Sequence, residues 1–391
     1  MSSNDFNSLL SNFAAATGTK TREGKRYTKL PLREATERLW NISQIRRTTQ
    51  KRAEGTSTVH DVTRKSIHIA LCACIVNDLP HEKVWQKWIK SFSTKSINAS
   101  MYVHAKTPSE VKSPWTKSHM IPKSFRPNWN DIRIVQAMLE LSRHALNNNK
   151  VTHVMFITES CIPICTLDEI YDDLQNAGDG KSFVRAYNRE SANCTRFDEL
   201  QCFGAVKSVP QMAVHKVLPG WSLLCRDHIQ KILNLNKDNE EYSLGQDLFP
   251  AFANVWAPEE VFFPTCLALL GVLPGEDVVH KSAMWARWDE NARGKDKAHP
   301  LVYDNRFGSD LLREARSEGC WFMRKFKRPL DPQLWESIIF ESAQIRAPSS
   351  SATNDAYSSI DEKERKIDRR KRYREHDSTC DGIVAERRKR M

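Results

Sequence analysis

The first half of the chain alternates between short apolar runs and longer amphipathic segments. The apolar runs are SIHIALCACIV, ASMYVHA and THVMFITES, at residues 66–76, 99–105 and 152–160. A nearly continuous apolar run of this length is typical of a strand buried on both faces of a parallel sheet. The segments between them, HEKVWQKWIKSF and WNDIRIVQAMLELSRHAL, place apolar residues at helical intervals. This order predicts βαβ units and an open, mostly parallel α/β sheet with helices on its faces.

The second half of the chain has a less regular pattern. Residues 187–220 break into short mixed segments, and WSLLCRDHIQKIL then predicts a strand or turn that leads into a helix. Residues 258–271 predict a further apolar helix, and residues 278–330 are irregular until the strand-like CWFMRKF. We therefore predict one folded domain over residues 66–345. A basic arm at residues 1–65, predicted to be disordered, precedes it, and a linker with a charged tail follows at residues 346–391.

The net charge of +11 is concentrated in these two tails. Residues 1–67 carry a surplus of 7 positive charges and residues 361–391 a surplus of 4, so the middle of the chain is formally neutral. A nucleic-acid-binding domain is expected to carry its basic surface on the folded part. The charge distribution therefore disfavours a nucleic-acid-binding domain, and the tails are interpreted as solvated arms that contact a membrane, an acidic surface or a partner.

The sequence lacks the usual signals for several kinds of site. Its ten cysteines show neither a CxxC pair nor a Cys/His zinc spacing, so a thiol-bound metal is not expected. Neither a glycine-rich phosphate loop nor an Asp-x-Asp pair for a divalent ion is present. A bound phosphate would then need arginine or lysine. The candidates late in the chain are Arg293, His299, Arg306, Arg324 and Lys325.

Two stretches carry acidic residues at positions suited to a site. The run VMFITESCIPI delivers Glu159 to the carboxyl end of a predicted strand, where ligands bind in open α/β sheets. The stretch PEEVFFPT sets Glu259 and Glu260 between Pro258 and an apolar run. Each stretch also has a purely structural interpretation, because proline and acidic residues favour any helix start and polar residues end many strands.

Taken in order, these segments resemble the core-2/I-branching enzyme family, the inverting β-1,6-N-acetylglucosaminyltransferases, and especially its plant and protist branch. The resemblance covers about residues 66–328 and leaves both tails outside. Its motifs are IALCACIVNDLPHEKVWQKWIKS, MYVHAK, IPKSFRPNWNDIRIVQAMLELSRHAL, FITESCIPI, HKVLPGWSLLCRDH, APEEVFFPT, WDENARGKDKAHP and CWFMRKF. Each motif alone has low specificity, but their shared order along the chain is specific.

The resemblance implies a GT-A-like fold that works without a metal ion, in agreement with the missing Asp-x-Asp pair. The family's catalytic base falls on Glu260 and the acidic residue before it on Glu259, where this chain has Glu for the usual Asp. The family's diphosphate-binding lysine falls on Lys325.

The resemblance also implies roles for five further residues. The remaining donor-side residues are Arg306, Arg324 and Glu159, of which Arg306 aligns least cleanly. On the acceptor side the resemblance implies Arg226 and Trp221, together with Glu259.

The expected activity is inverting, metal-independent transfer of a sugar from a UDP-sugar to a hydroxyl of a glycan or glycoprotein acceptor. N-acetylglucosamine is the expected sugar, and relatives that transfer xylose or glucuronic acid keep those alternatives open. No cofactor is expected. The acceptor-side segment departs from the family pattern, since Leu-Pro-Gly replaces Gly-Ser-Gln before Trp221. A catalytically silent relative that binds glycans or proteins through the same cleft is therefore the alternative.

The resemblance implies a type II Golgi membrane protein. The chain shows neither a signal peptide nor a run of 18 or more apolar residues. Three explanations stay open for the anchor that the family has and this sequence does not show: a truncated gene model, a basic arm that docks on a membrane, or a different compartment.

Overall fold

The computed structural model describes residues 30–53, 66–91, 93–191, 194–217, 222–237, 243–289, 299–303 and 309–344. Its helices are α1 (Leu32–Ala53), α2 (Glu82–Lys90), α3 (Pro114–Ser118), α4 (Arg133–Leu146), α5 (Leu167–Ala177), α6 (Arg226–Asn234), α7 (Pro258–Leu269), α8 (Ser309–Ser317) and α9 (Pro332–Gln344). Its strands are β1 (Ile67–Ile75), β2 (Ile97–Ala105), β3 (His153–Thr158), β4 (Ile162–Pro163), β5 (Ser182–Phe183), β6 (Ala186–Asn188), β7 (His215–Val217), β8 (Leu223–Cys225), β9 (Val278–Val279), β10 (Met284–Trp285) and β11 (Phe322–Met323).

Six strands form the main sheet, in the order β2-β1-β3-β8-β5-β9. Strand β1 pairs in parallel with β2 on one side and with β3 on the other, whereas β8 runs antiparallel to β3 and to β5. The helices α2 and α4 follow β1 and β2 along the chain and make the crossovers that parallel pairing requires. The predicted α/β class with an open, mostly parallel sheet is therefore confirmed.

Alternate residues of the central strands enter two different hydrophobic cores. In β1, Leu71 packs into one core and Cys72 into the other, and Met155 and Phe156 divide in the same way in β3. A strand whose two faces are both covered must be apolar at nearly every position. This explains why β1 is encoded by a continuous apolar run rather than by an alternating one.

Helix α1 extends the fold beyond the predicted domain boundary at residue 66. Ala35 and Leu39 on this helix are buried, and the Thr36 hydroxyl donates to the Ser208 carbonyl at 2.6 Å. The predicted disordered arm over residues 1–65 therefore contains an ordered segment at residues 32–53. The tail at 346–391 and residues 1–29 lie outside the described residues.

A small second sheet attaches the segment around β10 and β11 to the main sheet. Its order is β10-β11-β4, so β11 lies against β4, which begins four residues after β3 ends. Trp85 and Trp88 of α2 pack against Phe322 of β11, with ring centroids 6.0 and 5.8 Å apart. Residues after β11 are thereby held at the carboxyl end of β3.

Arg316 of α8 links this small sheet to α5. Its Nε donates to the Ile164 carbonyl and its Nη2 to Glu169 Oε2, both at 2.8 Å. Glu169 also closes the capping box of α5 with Thr166. Both side chains of the ion pair are largely buried, with 6% and 14% exposure.

Within the described residues, no helix is both long enough and apolar enough to cross a membrane. The predicted Golgi membrane location stays a prediction.

We expect Arg316→Met to lower the free energy of unfolding by about 3 kcal/mol, because it leaves the Glu169 carboxylate buried beside an apolar side chain. Arg313→Met on the same helix is the matched control, since Arg313 is 62% exposed and its ion pair within the described part of the chain is with the exposed Asp310. The control should change stability by less than about 0.5 kcal/mol. Urea unfolding followed by tryptophan fluorescence measures both, and equal stability of the two variants would contradict this assignment.

Candidate active site

The carboxyl end of β3 brings Glu159 together with the segment that follows β11. The Phe326 amide donates to the Ser160 carbonyl at 2.9 Å, and the Tyr303 amide donates to the Lys325 carbonyl at 2.9 Å. The Arg324 amide donates to the Trp285 carbonyl at 3.0 Å. These backbone bonds fix Arg324 and Lys325 beside Glu159, so the structure brings together three residues predicted for the donor side.

The electrostatics of these residues reflect a partly buried, cation-rich environment. Burial raises the pKa of Glu159 above its ordinary value, although the charges of Arg324 and Lys325 oppose the shift. Burial and the neighbouring charges of Arg324 and Lys327 lower the pKa of Lys325. The Arg324 Nε atom is buried without a hydrogen-bond partner among the described residues. Two cations act on the Glu159 carboxylate and a third, Lys327, acts on Lys325, so the segment has a positive surplus that suits an anionic ligand.

The second part of the site is the first turn of α7. Pro258 occupies the first helical position, and Ala257 before it has a left-handed backbone with φ of 48°. The Ala257 amide donates to Asn130 Oδ1 at 3.2 Å, which ties the helix start to the segment before α4. Val261 and the residues after it are buried. Only the first turn of α7 therefore reaches the surface, and this turn carries Glu259 and Glu260.

Glu259 points into an apolar environment. Its Oε2 atom is buried and has no hydrogen-bond partner among the described residues. The carboxyl lines a small cavity whose other lining residues are Met138, Phe156, Val217, Ser222, Phe263 and Pro264. Burial, reinforced by the negative charge of Glu260, raises the pKa of Glu259 to about 7. A large fraction of Glu259 is therefore protonated at neutral pH.

Glu260 has a different environment although it is the next residue. Its side chain is 33% exposed, and its Oε2 lies 3.5 Å from the Nζ atom of Lys216 on β7. An adjacent ammonium favours the ionised form of a carboxyl. Of the two neighbouring glutamates, Glu260 is thus the one that has an ammonium beside it and a side chain that solvent can reach.

Lys216 belongs to a polar network that the sequence analysis did not predict. Its Nζ donates to Asp198 Oδ1 at 2.8 Å, and the Tyr187 hydroxyl donates to Asp198 Oδ2 at 2.6 Å. Tyr187 and Lys216 are directly opposed on the antiparallel strands β6 and β7. Asp198 begins a π-helical turn that follows β6 in the chain. The three residues come from irregular segments whose pattern gave no periodic signal.

Aromatic side chains lie next to the start of α7. The rings of Trp129 and Trp256 are 4.6 Å apart in an edge-to-face arrangement, and His299 lies 5.6 Å from Trp129. Phe197 packs edge-to-face on Trp256 at 5.6 Å. Trp129 nonetheless remains 62% exposed. A large exposed indole held in place by other rings beside a carboxylate is suited to bind a ring-shaped ligand.

A cleft of about 620 Å³ lies at the carboxyl ends of β1 and β2. It is lined by Asn77, Asp78, Ser109, Glu110, Val111, Lys112 and Lys117. Because β1 lies between β2 and β3, this cleft and Glu159 share one edge of the sheet. Sequence reasoning missed the cleft, since its residues sit in loops with no recognisable motif.

The other predicted residues lie elsewhere or outside the described part. The Arg226 guanidinium donates to the carbonyls of Leu146, Asn148 and Val151 at 2.9 to 3.1 Å, beyond the end of α4. Its amide bonds to Thr152, so Arg226 lies at the amino end of β3, opposite to Glu159. The structure thus separates Arg226 from the other site residues and corrects its predicted acceptor-side position.

Three further candidates fall outside the described residues: Trp221, Arg293 and Arg306. Among the described residues, no cluster of three or more His, Cys, Asp or Glu side chains is arranged to hold a metal ion. The predicted independence of metal stays a prediction.

Comparisons with known proteins found a matching family model and a curated relative. The model of a family described as Core-2/I-Branching enzyme matches residues 69–315. Glycosyltransferase BC10 from rice, Oryza sativa subsp. japonica, is 22% identical to the chain over 254 residues. That alignment covers 58% of this chain and 60% of the rice protein, so the chain spans less than two thirds of that relative's length. The family match includes Glu159 and Glu260 and ends before Lys325.

We expect the pH dependence of stability to reveal the buried Glu259 carboxyl. Its pKa is about 7 in the folded protein and close to 4.5 when unfolded, so folding retains a proton that the unfolded chain releases between these values. Glu259 therefore stabilises the fold fully below pH 4.5, and this contribution is lost as the pH rises to 7. From pH 5 to pH 8 the parent should lose about 2–3 kcal/mol relative to Glu259→Gln.

Urea unfolding of both proteins at the two pH values measures this difference, and histidine titrations cancel in the comparison. A parallel pH dependence of parent and variant would contradict the burial of the Glu259 carboxyl.

Proposed function

Since the chain belongs to the core-2/I-branching enzyme family, we propose that it is a glycosyltransferase. It transfers a sugar from a UDP-sugar to a hydroxyl of a glycan or glycoprotein acceptor, with inversion at the anomeric carbon and without a metal ion. N-acetylglucosamine is the proposed sugar, with xylose and glucuronic acid as the alternatives to test.

The observation that carries this proposal is the contrast between the two adjacent glutamates. The Glu259 carboxyl has a buried Oε2 atom and a pKa of about 7, whereas the Glu260 side chain is 33% exposed and paired with Lys216. Two carboxyls whose environments differ in this way are typical of sites that use them in different roles. Glu260 is accessible and lies beside the Lys216 ammonium, and is therefore the proposed base.

In the proposed reaction, the acceptor hydroxyl oxygen attacks the anomeric carbon of the donor. The bond from that carbon to the β-phosphate oxygen breaks, and its electron pair leaves with UDP. The proton of the attacking hydroxyl passes to the Glu260 carboxylate. A single displacement of this kind inverts the anomeric centre.

The cations beside β3 support a site for the donor diphosphate. Lys325 and Arg324 can offset the charge that accumulates on UDP as it leaves, which is the role a metal ion has in other enzymes. The buried Arg324 Nε without a partner is a donor that such a ligand could satisfy. Arg306 remains a proposed second contact because of the family resemblance.

The rest of the donor fits the cleft at the ends of β1 and β2. Its volume of about 620 Å³ falls in the range of small-molecule sites. Glu159 lies at the same sheet edge, and the charges of Glu159 and Glu259 both act on the Cys74 thiol of β1, so the first turn of α7 lies near this edge as well. This arrangement supports a donor that lies along the sheet edge with its sugar directed towards Glu260.

The aromatic group at Trp129, Trp256 and His299 supports an acceptor that is a glycan. The apolar face of a pyranose ring packs well on an indole, and Trp129 is held beside the first turn of α7. Trp221 remains a proposed acceptor contact through the family resemblance. Arg226 is omitted from the acceptor site, since its guanidinium donates hydrogen bonds to the carbonyls of Leu146, Asn148 and Val151.

A catalytically silent glycan-binding relative is the second candidate function, favoured by the changed Leu-Pro-Gly segment before Trp221. Contact of the basic tails with a membrane or an acidic surface, including a Golgi membrane, is also part of the proposal.

We expect Glu260→Gln to lower sugar transfer at least about 100-fold, because an amide cannot take the acceptor proton. Lys325→Ala should lower it about 10- to 100-fold, because the charge that stabilises departing UDP is lost. UDP release from a panel of UDP-sugars, with EDTA present, measures both. Glu276→Gln and Lys231→Ala are matched controls, since they make the same kinds of change outside the site.

Turnover of one donor in EDTA that collapses in the Gln variant supports the proposed base and the metal independence together. UDP binding without turnover of any donor would favour the silent relative. Turnover that EDTA abolishes would contradict the assignment of the diphosphate to Lys325 and Arg324 alone.

We expect Trp129→Ala to raise the acceptor KM about fivefold, because one ring contact contributes about 1 kcal/mol, and to leave hydrolysis of the UDP-sugar by water unchanged. Trp129→Phe keeps an aromatic face and should recover most of the loss. The measurement compares transfer to methyl glycosides with release of UDP in their absence. An equal loss in both reactions would place Trp129 on the donor side instead.

A further inference from the structure

The side chain of Lys216 lies between two carboxylates. Its Nζ is 2.8 Å from Asp198 Oδ1 and 3.5 Å from Glu260 Oε2. Asp198 is almost fully buried at 6% exposure, Lys216 is 15% exposed, and Glu260 is 33% exposed. The network therefore runs from a buried, fixed anion through a cation to an accessible anion.

We propose that Lys216 and Asp198 act together as positioning residues: Asp198 fixes the Lys216 ammonium, and the ammonium holds the Glu260 carboxyl in place and interacts with its charge while it accepts and releases a proton. The catalytic part of this inference rests on the proposed function. The ionic part concerns the free protein and stands on the distances and burial alone.

Asp198 is the permanent partner of Lys216. Besides Lys216, its carboxylate accepts hydrogen bonds from the Tyr187 hydroxyl at 2.6 Å and from the Thr195 hydroxyl at 2.9 Å. Burial alone would raise the pKa of Asp198, but the charge of Lys216 and these hydrogen bonds lower it below its ordinary value. Asp198 therefore stays ionised while Glu260 changes its charge.

This arrangement solves a problem that a simple Lys216–Glu260 pair would create. If Glu260 were the sole partner, its protonation would leave an unpaired ammonium in a largely buried position, which is costly. Because Asp198 remains charged, the ammonium keeps a partner through the whole reaction cycle. Glu260 also lies farther from Lys216 than Asp198 does, so its attraction to the ammonium is weaker.

The other titratable groups near Glu260 do not supply a neighbouring positive charge. Burial raises the pKa of Tyr187 on β6 and of Cys202 in the π-helical turn, so both stay neutral. Glu259 on α7 is a second acid whose pKa is also raised, and it opposes ionisation of Glu260 when it is charged. Of the charged groups that act on Glu260 among the described residues, Lys216 is the cation in direct contact.

The test follows the titration of the Glu260 carboxyl by carbon-13 NMR, with its signal assigned from its absence in Glu260→Gln. Lys216→Met should move the titration midpoint up by about one pH unit, because the carboxylate loses a neighbouring cation. Asp198→Asn should move the midpoint down, because the Lys216 ammonium then loses its other negative partner and its charge acts on Glu260 alone. Lys216→Arg should restore the parent midpoint, and Lys231→Met, which breaks the ion pair with Asp227, should leave it unchanged.

A midpoint that Lys216→Met leaves in place would overturn the inference, as would a shift of equal size in Lys231→Met. If Asp198→Asn does not fold, Lys216→Met and Lys216→Arg decide the question by themselves. If the enzyme turns over, the acid limb of the pH–rate profile should move with the NMR midpoint, and an unmoved limb would refute the catalytic part. Failure of the proposed function is seen separately, as undiminished turnover in Glu260→Gln.

Discussion

The burial of helix α7 is the constraint on which the candidate site depends. From Val261 to Leu269 its side chains are buried, including Phe263, which packs on Phe156 of β3 with ring centroids 5.0 Å apart. A helix that is apolar on all sides can sit only inside the core. Its first turn, which starts at Pro258, is therefore carried to the surface at a fixed place, and the neighbouring glutamates have little freedom to move.

The same constraint gives the two carboxyls different environments. Successive residues in the first turn point in different directions, so Glu259 enters the apolar space between α4, β3 and α7, and Glu260 turns towards β7. Burial raises the pKa of Glu259 to about 7, and Glu260 lies 3.5 Å from the Lys216 ammonium. The difference follows from helix geometry and requires no distinct chemistry in the two residues.

Sequence reasoning found those parts of the molecule whose residues are periodic. The continuous apolar runs predicted β1 and β3, and the apolar stretch after Pro258 predicted α7 with Glu260 in its first turn. The pattern failed for α1, whose few buried residues are small or isolated, and for the three-residue strands β6 and β7. Such short strands are stabilised by contacts distant in sequence, so the meeting of Tyr187, Asp198 and Lys216 left no local signal.

The Lys216 network also bears on whether the chain is an enzyme or a silent relative. A buried ion pair with its hydrogen bonds is weak evidence for stability, since well-packed apolar residues of similar volume often stabilise a fold as well or better. The fold gains little from placing Asp198 and Lys216 inside, so their position beside the Glu260 carboxyl needs another explanation. A carboxylate that must take a proton and return it does need such a setting, which favours the enzymatic interpretation over the silent one.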